Sequence, residues 1–347
     1  MTIEHFPDRM VTIKGKQYLY FGGTSYLGMA TNSEFQQYLT NSIKLWGTAY
    51  GSSRNANIKL SIYDIAETVL AKIIGADAAL TVSSGTLAGK IAIDHLSQNH
   101  NTFYHYPKTH PAIVKHSSLP LFTNGKLHPK LTDNVEEAVV IAADTLLSMA
   151  VKPTDFEFLN AISTSKRITL LLDESHSLGI VGVRGEGAYN SINHPRISQK
   201  IMISSLTKAY GCSGGVIAGT TDLVKMLKDD PVFISASGMN PIFLQTFVDA
   251  QQLLQNQLQK LQTNLQFLFG DGLLSKQFIY HQDYPVIYSH SDRIYPYLKS
   301  KGIIITNFKY PNYDTLMNRI VVTANHTTED LEHLKSALNQ FQKETLH

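Results

Sequence analysis

The chain has 347 residues, enough for one large and one smaller domain. Apolar residues make up 43 %, charged residues 17 %, and the net charge is +2. That composition excludes disorder and offers no basic surface for nucleic acid or an acidic membrane.

From the N-terminus, residues 1–10 are polar, contain Pro7, and read as neither a signal peptide nor an anchor. Val11 to Phe21 reads as a hairpin turning at Lys14-Gly15-Lys16. Strands are predicted at Ala78–Val82, Thr102–Tyr106, Ala138–Ala142, Ile168–Asp173, Ile201–Ser205 and Gly215–Gly219. Helices are predicted between them at Ile62–Ile74, Thr86–Leu96, Asp155–Ser163 and Asp222–Lys228. Apolar strands alternating with helices make an α/β domain whose mostly parallel sheet is covered on both faces. From Ile242 to Phe269 runs a long Gln- and Leu-rich helical stretch, whose apolar stripe suits a core or subunit interface. Then come Val286–Tyr288, a helix near Ile294–Lys301, strands Ile303–Thr306 and Arg319–Thr323, and a last helix from Thr328. Thr327 and Asp330 are placed to cap that helix. This part reads as a smaller α+β domain completed by the N-terminal segment. No apolar run is long enough to span a bilayer.

Two segments stand out. Leu170-Leu171-Leu172 runs straight into Asp173, within Asp173-Glu174-Ser175-His176-Ser177-Leu178-Gly179. Ile201-Met202-Ile203 runs into Ser204-Ser205-Leu206-Thr207-Lys208. A carboxylate at the C-terminal end of a strand lies where open α/β sheets bind ligands. A lysine just past a buried strand is costly unless its charge is used or its pKa falls. A carboxylate for a pyridinium nitrogen and a lysine for an imine are the two groups pyridoxal phosphate most needs. Taken singly, each segment also fits an ordinary solvated strand end.

Ser83-Ser84-Gly85-Thr86 joins a strand to a helix, and its amides and hydroxyls suit a phosphate; alone, it serves equally as a plain helix cap. Ser205 adds a hydroxyl. His110, beside Pro111, can stack on a flat ring or stand in an exposed loop. Arg319 opens an apolar strand and suits a substrate carboxylate or a surface strand end. His326 reads as structural. Cys212, the lone cysteine, excludes an intramolecular disulfide, reads as a packed thiol, and makes a reducing cytoplasm the expected compartment. No zinc spacing, Gly-x-Ser-x-Gly elbow, Walker loop or Gly-x-Gly-x-x-Gly fingerprint is present.

With these residues in order, the chain resembles the α-oxoamine synthases, dimeric pyridoxal-phosphate enzymes of the aspartate-aminotransferase fold. Members include 8-amino-7-oxononanoate synthase, 2-amino-3-ketobutyrate CoA ligase, 5-aminolaevulinate synthase and serine palmitoyltransferase. Ser25-Tyr26-Leu27-Gly28 is similar to the family's Asn-Asp-Tyr-Leu-Gly, and Gly51-Ser52-Ser53-Arg54 to its Gly-Ser-Arg turn. Ser84-Gly85-Thr86 matches its phosphate turn and Thr109-His110 its Asn-His. Asp173 to Gly179 resembles Asp-Glu-Ala-His-Gly-x-Gly, and Thr207-Lys208-Ala209-Tyr210-Gly211 resembles Ser-Lys-Ala-Phe-Gly. Arg319 to Thr327 resembles the stretch that opens on the carboxylate-binding arginine. Departures fall at Tyr63 (usually histidine), Ile58 (usually glycine) and Ala150-Val151-Lys152 (usually Asp-Gly-Asp). Only half of the usual Pro-Pro is present at Met239-Asn240-Pro241, and the chain starts close to the first core hairpin, without the family's N-terminal helix.

The resemblance implies a large domain with a seven-stranded sheet, a smaller α+β domain, and pyridoxal 5'-phosphate as cofactor. Catalytic roles go to Lys208, Asp173, His176 and His110. Cofactor contacts go to Ser84, Gly85, Thr86, His110, Asp173, His176, Ser205, Lys208 and Ser237, and substrate contacts to Arg319 and Ser25; no metal is implied. The expected division is a segment 1–45 joining the small domain, a cofactor domain 46–240, and an interdomain helix with the C-terminal small domain, 241–347. The implied reaction condenses an amino acid with an acyl thioester, losing carbon dioxide, in a homodimer with a shared site. Alanine with a medium-chain dicarboxylic acyl thioester, as in biotin synthesis, is the substrate pair expected from the resemblance. Two alternatives stay open: another amino-acid reaction on this fold, such as transamination, and a non-catalytic subunit.

Overall fold

The computed structural model describes residues 2–270, 277–309 and 316–345. Packing divides the chain into two compact units, Met1–Ser33 with Gln252–His347, and Glu34–Gln251.

The first unit opens on the expected hairpin, β1 (Met10–Ile13) and β2 (Lys16–Phe21), in antiparallel register Ile13↔Lys16. Lys14 and Gly15 turn it at φ 51° and 76°, the left-handed pair whose twist suits a two-residue hairpin.

The second unit begins with α1 (Ser33–Trp46) and α2 (Ser61–Ile74), followed by β3 (Ala78–Val82), α3 (Gly85–Ser97) and β4 (Thr102–His105). Three short strands come next, β5 (Leu119–Pro120), β6 (Phe122–Thr123) and β7 (Lys126–Leu127), then the single turn α4 (Pro129–Thr132). The long strands β8 (Glu137–Asp144), β9 (Lys166–Asp173) and β10 (Ile197–Ser205) precede β11 (Gly215–Gly219). The unit closes with α5 (Thr221–Lys228), α6 (Pro231–Ser235) and α7 (Pro241–Asp249).

Among the described residues its main sheet has seven strands in the order β3-β11-β10-β9-β8-β4-β5. The β4, β5, β8, β9 and β10 pairings are parallel, and β11 runs antiparallel to both β10 and β3. Val139–Ala143 and Leu170–Leu172 are buried, as strands covered on both faces require. Ile91 of α3 and Leu223 and Leu227 of α5 pack with Leu80, Val140 and Leu171 in one core.

Beside the sheet, α2 carries Glu67 into a buried ion pair with Arg54, at 2.6 Å. Glu67 Oε1 also accepts the Thr81 N–H (2.7 Å) and hydroxyl (2.8 Å), and Arg54 Nη1 donates to the Thr81 carbonyl at 3.1 Å. The guanidinium lies 3.9 Å from the centre of the Tyr63 ring. The segment similar to the family's Gly-Ser-Arg turn thus anchors β3 just before the Ser84–Thr86 turn.

Two sequence expectations change. Asp155–Ser163 forms only a 3-10 turn, Glu157–Ala161. Its Phe156 and Phe158 rings pack on each other, and Phe158 also meets Tyr106 and Phe122. So short a segment gains little from helix propagation, and aromatic packing decides its shape. The stretch from Ile242 to Phe269 is two helices, α7 and α8 (Gln251–Phe269), parted at Ala250. The Gln251 side-chain amide donates to the Phe247 carbonyl at 2.7 Å, taking the acceptor that a continuous helix would pair with its own amide. Helices α1 and α7 both lie in the second unit. The two helices are tied by Trp46 Nε1 to Gln245 (3.1 Å) and by the Thr246 and Ser42 hydroxyls (3.1 Å).

After α8 the first unit resumes with β12 (Phe278–Tyr280), β13 (Val286–Ser289), α9 (Ile294–Ser300), β14 (Ile303–Lys309), β15 (Leu316–Val321) and α10 (Thr328–Thr345). Its sheet runs β1-β2-β14-β15-β13-β12 among the described residues. The Thr327–Asp330 cap is reciprocal, Thr327 N–H to Asp330 at 3.0 Å and Asp330 N–H to the Thr327 hydroxyl at 3.3 Å, and Arg9 grips Asp330 with two further bonds. His326 is structural, as expected: it stacks on Phe21 at 4.0 Å and accepts the Thr323 N–H. No helix among the described residues is long and apolar enough to cross a membrane.

Candidate active site

In the second unit the sheet order brings the C-terminal ends of β3, β4, β8, β9 and β10 to one edge. Lys208 sits there on the connection from β10 to β11. The Leu206 N–H donates to Gly214 (3.0 Å) and the Cys212 N–H to Leu206 (3.1 Å), so this loop is closed by its own backbone. Lys208 is half-buried.

The Ser84–Thr86 turn opens α3. The Ser84 hydroxyl accepts the Leu87 N–H at 3.1 Å, while the first amides of the helix, Gly85 and Thr86, have no acceptor within the helix. A Cβ on Gly85 would lie 2.8 Å from the Ser205 Cβ, so this turn lies against the end of β10 and tolerates only glycine. The Ser205 N–H donates to the Ser175 hydroxyl at 2.9 Å, and the Ser205 and Thr207 hydroxyls pair at 2.7 Å. Amides at a helix start, with hydroxyls beside them, make a seat for an anion.

Asp173 ends β9, buried, and accepts the Ser175 N–H at 2.8 Å. His176 follows in a turn, half-buried. His110 lies past β4. Its N–H donates to Asp144 Oδ1 at 2.9 Å, and its Nδ1 accepts the Ala112 N–H at 3.2 Å. Asp144 and Asp173 are register partners on β8 and β9. The charges of Asp173 and Lys208 both act on Asp144, so His110, Asp144, Asp173 and Lys208 form one cluster. Ser237 lies on an exposed segment whose next residue, Gly238, packs on Arg54 and Tyr63.

The sequence reading missed Asp144 and Glu174. Asp144 ends a buried apolar strand just as Asp173 does, and that rule applied to Val139–Ala143 finds it. Glu174 is fully buried. Burial lifts its carboxyl above the usual range, against the opposing hydrogen bonds of Ser177 and Ala188. It holds the turn leading to Tyr189. Cys212 is buried and burial pushes its thiol up, so it is a packed thiol as expected.

In the first unit Arg319 lies mid-sheet, opposite Tyr288 on β13 and Thr306 on β14. Its Nη2 donates to the Gly23 carbonyl at 2.7 Å. Its Nε is buried without a partner, and among the described residues no carboxylate pairs with the guanidinium. The phenols of Tyr26, Tyr288, Tyr284 and Tyr20 act electrostatically on it. A buried cation with an orphaned donor calls for an anion. Ser25 is half-buried in the same unit, and its carbonyl accepts the Gly28 N–H at 2.9 Å.

The sequence profile of aminotransferases of class I and II matches residues 18–338. The chain belongs to that family. Among aminotransferase class I and II proteins it is 24 % identical to a putative 8-amino-7-oxononanoate synthase of Rippkaea orientalis, over 97 % of this chain and 93 % of that one. It is also 24 % identical to a serine palmitoyltransferase of Bacteriovorax stolpii, over 95 % and 83 %. In fold it matches the serine palmitoyltransferase of S. paucimobilis, solved with bound PLP and myriocin, at a TM-score of 0.79 and 16 % identity, over 99 % and 92 %. An 8-amino-7-oxononanoate synthase of Francisella tularensis matches at 0.70 and 21 %, over 95 % and 99 %. The chain has the type I fold of pyridoxal-phosphate enzymes, with that cofactor. The groups present fit it: a lysine, a buried strand-end carboxyl, and an anion seat where Gly85 meets Ser205.

Proposed function

We propose that this protein condenses an amino acid with an acyl thioester, releasing carbon dioxide and the free thiol and yielding an α-oxoamine. The observation that carries this is the meeting of Lys208, Asp173 and the Gly85 turn at one sheet edge.

Pyridoxal phosphate, when bound, supplies an electron sink for the substrate's α-carbon. Lys208 is the residue that carries the cofactor. Asp173 is assigned to its ring nitrogen, His176 to its phenolic oxygen and His110 to its ring face. The amides of Gly85 and Thr86, with the hydroxyls of Ser84, Thr86 and Ser205, are assigned to its phosphate. Ser237 is kept as an outer contact. Arg319 is assigned the substrate carboxylate on its own chemistry, a buried guanidinium with a spare donor, and Ser25 is its companion on the substrate side. Lys208 Nζ, once released, is the base that takes the α-proton.

Alanine and a medium-chain dicarboxylic acyl thioester are our first substrate pair, since relatives named 8-amino-7-oxononanoate synthase recur among the matches. We also assign a cytoplasmic homodimer with a shared site, and no nucleic-acid or membrane partner, on the family resemblance and the net charge of +2.

The test is an absorption scan of purified protein titrated with glycine, alanine and serine, then with acyl-CoA, while free thiol and carbon dioxide are measured. A cofactor band that responds to one amino acid, with thiol release only when both substrates are present, is the expected result. Conversion of the cofactor to its amine form with no need for a thioester would replace this reading with transamination.

A further inference from the structure

Asp144 has no role in the assignments above, yet it lies at the centre of the cluster. It ends β8 and is 2 % exposed; its register partner Asp173 ends β9 and is 5 % exposed. Residues paired in register on adjacent parallel strands project to the same face, so the two carboxyls are neighbours. The backbone binds the two strand ends together: the Thr145 N–H and hydroxyl both donate to the Asp173 carbonyl, at 3.0 and 3.3 Å. The Thr154 hydroxyl donates to the Asp144 carbonyl at 2.6 Å. Asp144 Oδ1 itself accepts the His110 N–H at 2.9 Å.

Charging two buried carboxyls side by side is costly, so the neutral form of one is favoured. The His110 N–H needs only an acceptor oxygen, which a neutral carboxyl retains. A ring nitrogen held by Asp173 needs an anion. The division of roles is therefore fixed by what each carboxyl faces.

We propose that Asp144 is a positioning residue of this site: its neutral carboxyl tethers the His110 backbone at the sheet edge and leaves Asp173 as the anion of the pair. The tether belongs to the chain itself, while its use in cofactor binding rests on the functional reading above. Burial first, and the neighbouring Asp173 second, push the Asp144 carboxyl well above the usual carboxylate range, against the His110 N–H and the charge of Lys208. The charged groups facing it are thus Asp173 on β9 and Lys208 beyond β10, with His110 on the loop after β4.

The experiment compares Asp144→Asn and Asp144→Ala in full-length protein as purified, by urea unfolding between about pH 4 and 8 and by PLP titration followed by absorbance. A carboxyl with a raised folded-state pKa stabilises fully below its unfolded value, and that contribution is lost as pH rises through the folded value. The wild type is therefore expected to lose stability relative to Asp144→Asn as pH rises from about 4. Asp144→Asn keeps the acceptor for His110 and is expected to loosen PLP about twofold at most, whereas Asp144→Ala loosens it roughly tenfold. A wild-type-to-Asn difference that does not change with pH would overturn the neutral carboxyl. Equal PLP loss in Asn and Ala would overturn the tether. A wild type that binds no PLP would overturn the functional reading instead, and the pH comparison would still decide where the proton resides.

Discussion

Replacing Glu67 by leucine should destabilise the large unit far more than replacing Arg54 by methionine, although the two form one ion pair. Both side chains are about nine-tenths buried, at 8 % and 7 % exposure. Glu67→Leu strands a guanidinium that cannot lose its proton, and it orphans the Thr81 N–H. Removing one partner of a buried pair costs about 3–5 kcal/mol, so about 4 kcal/mol is expected here. Arg54→Met leaves Glu67 with both Thr81 donors, and a carboxylate can also neutralise itself by taking up a proton, so about 2 kcal/mol is expected. The double variant Arg54→Met/Glu67→Leu should cost less than Glu67→Leu alone, about 2 kcal/mol. Trp46, the single tryptophan, lies in this unit, and its fluorescence in urea reports the unit's unfolding directly. Equal costs for the two single variants, or a double variant worse than Glu67→Leu, would refute the reasoning.

Gly85→Ala should cost about 1–3 kcal/mol and weaken PLP binding at least tenfold, because its Cβ would meet the Ser205 Cβ at 2.8 Å and the Ser205 Cα at 2.9 Å; unchanged affinity by titration would remove the turn from the cofactor site. Arg319→Lys keeps a charge but loses the spare Nε, so the KM for the amino acid should rise about 10- to 100-fold while PLP affinity holds; an unchanged KM would place the carboxylate elsewhere. Burial lowers the pKa of His326 below its ordinary value of about 6.5. The unfolded chain therefore binds the extra proton first, and stability should fall as pH drops below about 6.5. His326→Gln should lack that fall in pH-dependent urea midpoints; identical profiles would show that His326 does not titrate on unfolding.

The residues proposed to carry chemistry were legible where an apolar run ended abruptly on a charged side chain. Leu170–Leu172 before Asp173, and Ile201–Ile203 before Lys208, are such endings, and the structure places both at one edge of the sheet. The same rule was available for Asp144, but no family motif drew attention to it. The aromatic turn at Glu157–Ala161 and the break at Ala250 were not legible, because each is decided by a local competitor. In one the competitor is a ring packed on a ring, in the other a glutamine amide on a helix carbonyl. The small strands β5, β6 and β7 are two residues each, too short for any alternation to show. The unpartnered Nε of Arg319 is also invisible in sequence, since a strand-end arginine reads the same whether its charge is met or not.

Strand β11 runs backward between β10 and β3, and this sets an order of assembly. β3 leaves the ribosome early, yet among the described residues its only partner in the sheet is β11, which is made after β4, β8, β9 and β10. The start of α3 can be pressed against Ser205 only once Gly215–Gly219 has been inserted. A nascent chain that stops short of Gly219 can build the β8–β9 pair but cannot close the anion seat. Pairing so distant in sequence is slow to form, and a ligand that binds only the closed edge stabilises only chains that have closed it. Binding at that edge is thereby coupled to the insertion of β11, and chains that stop before Gly219 are left without that stabilisation and open to degradation.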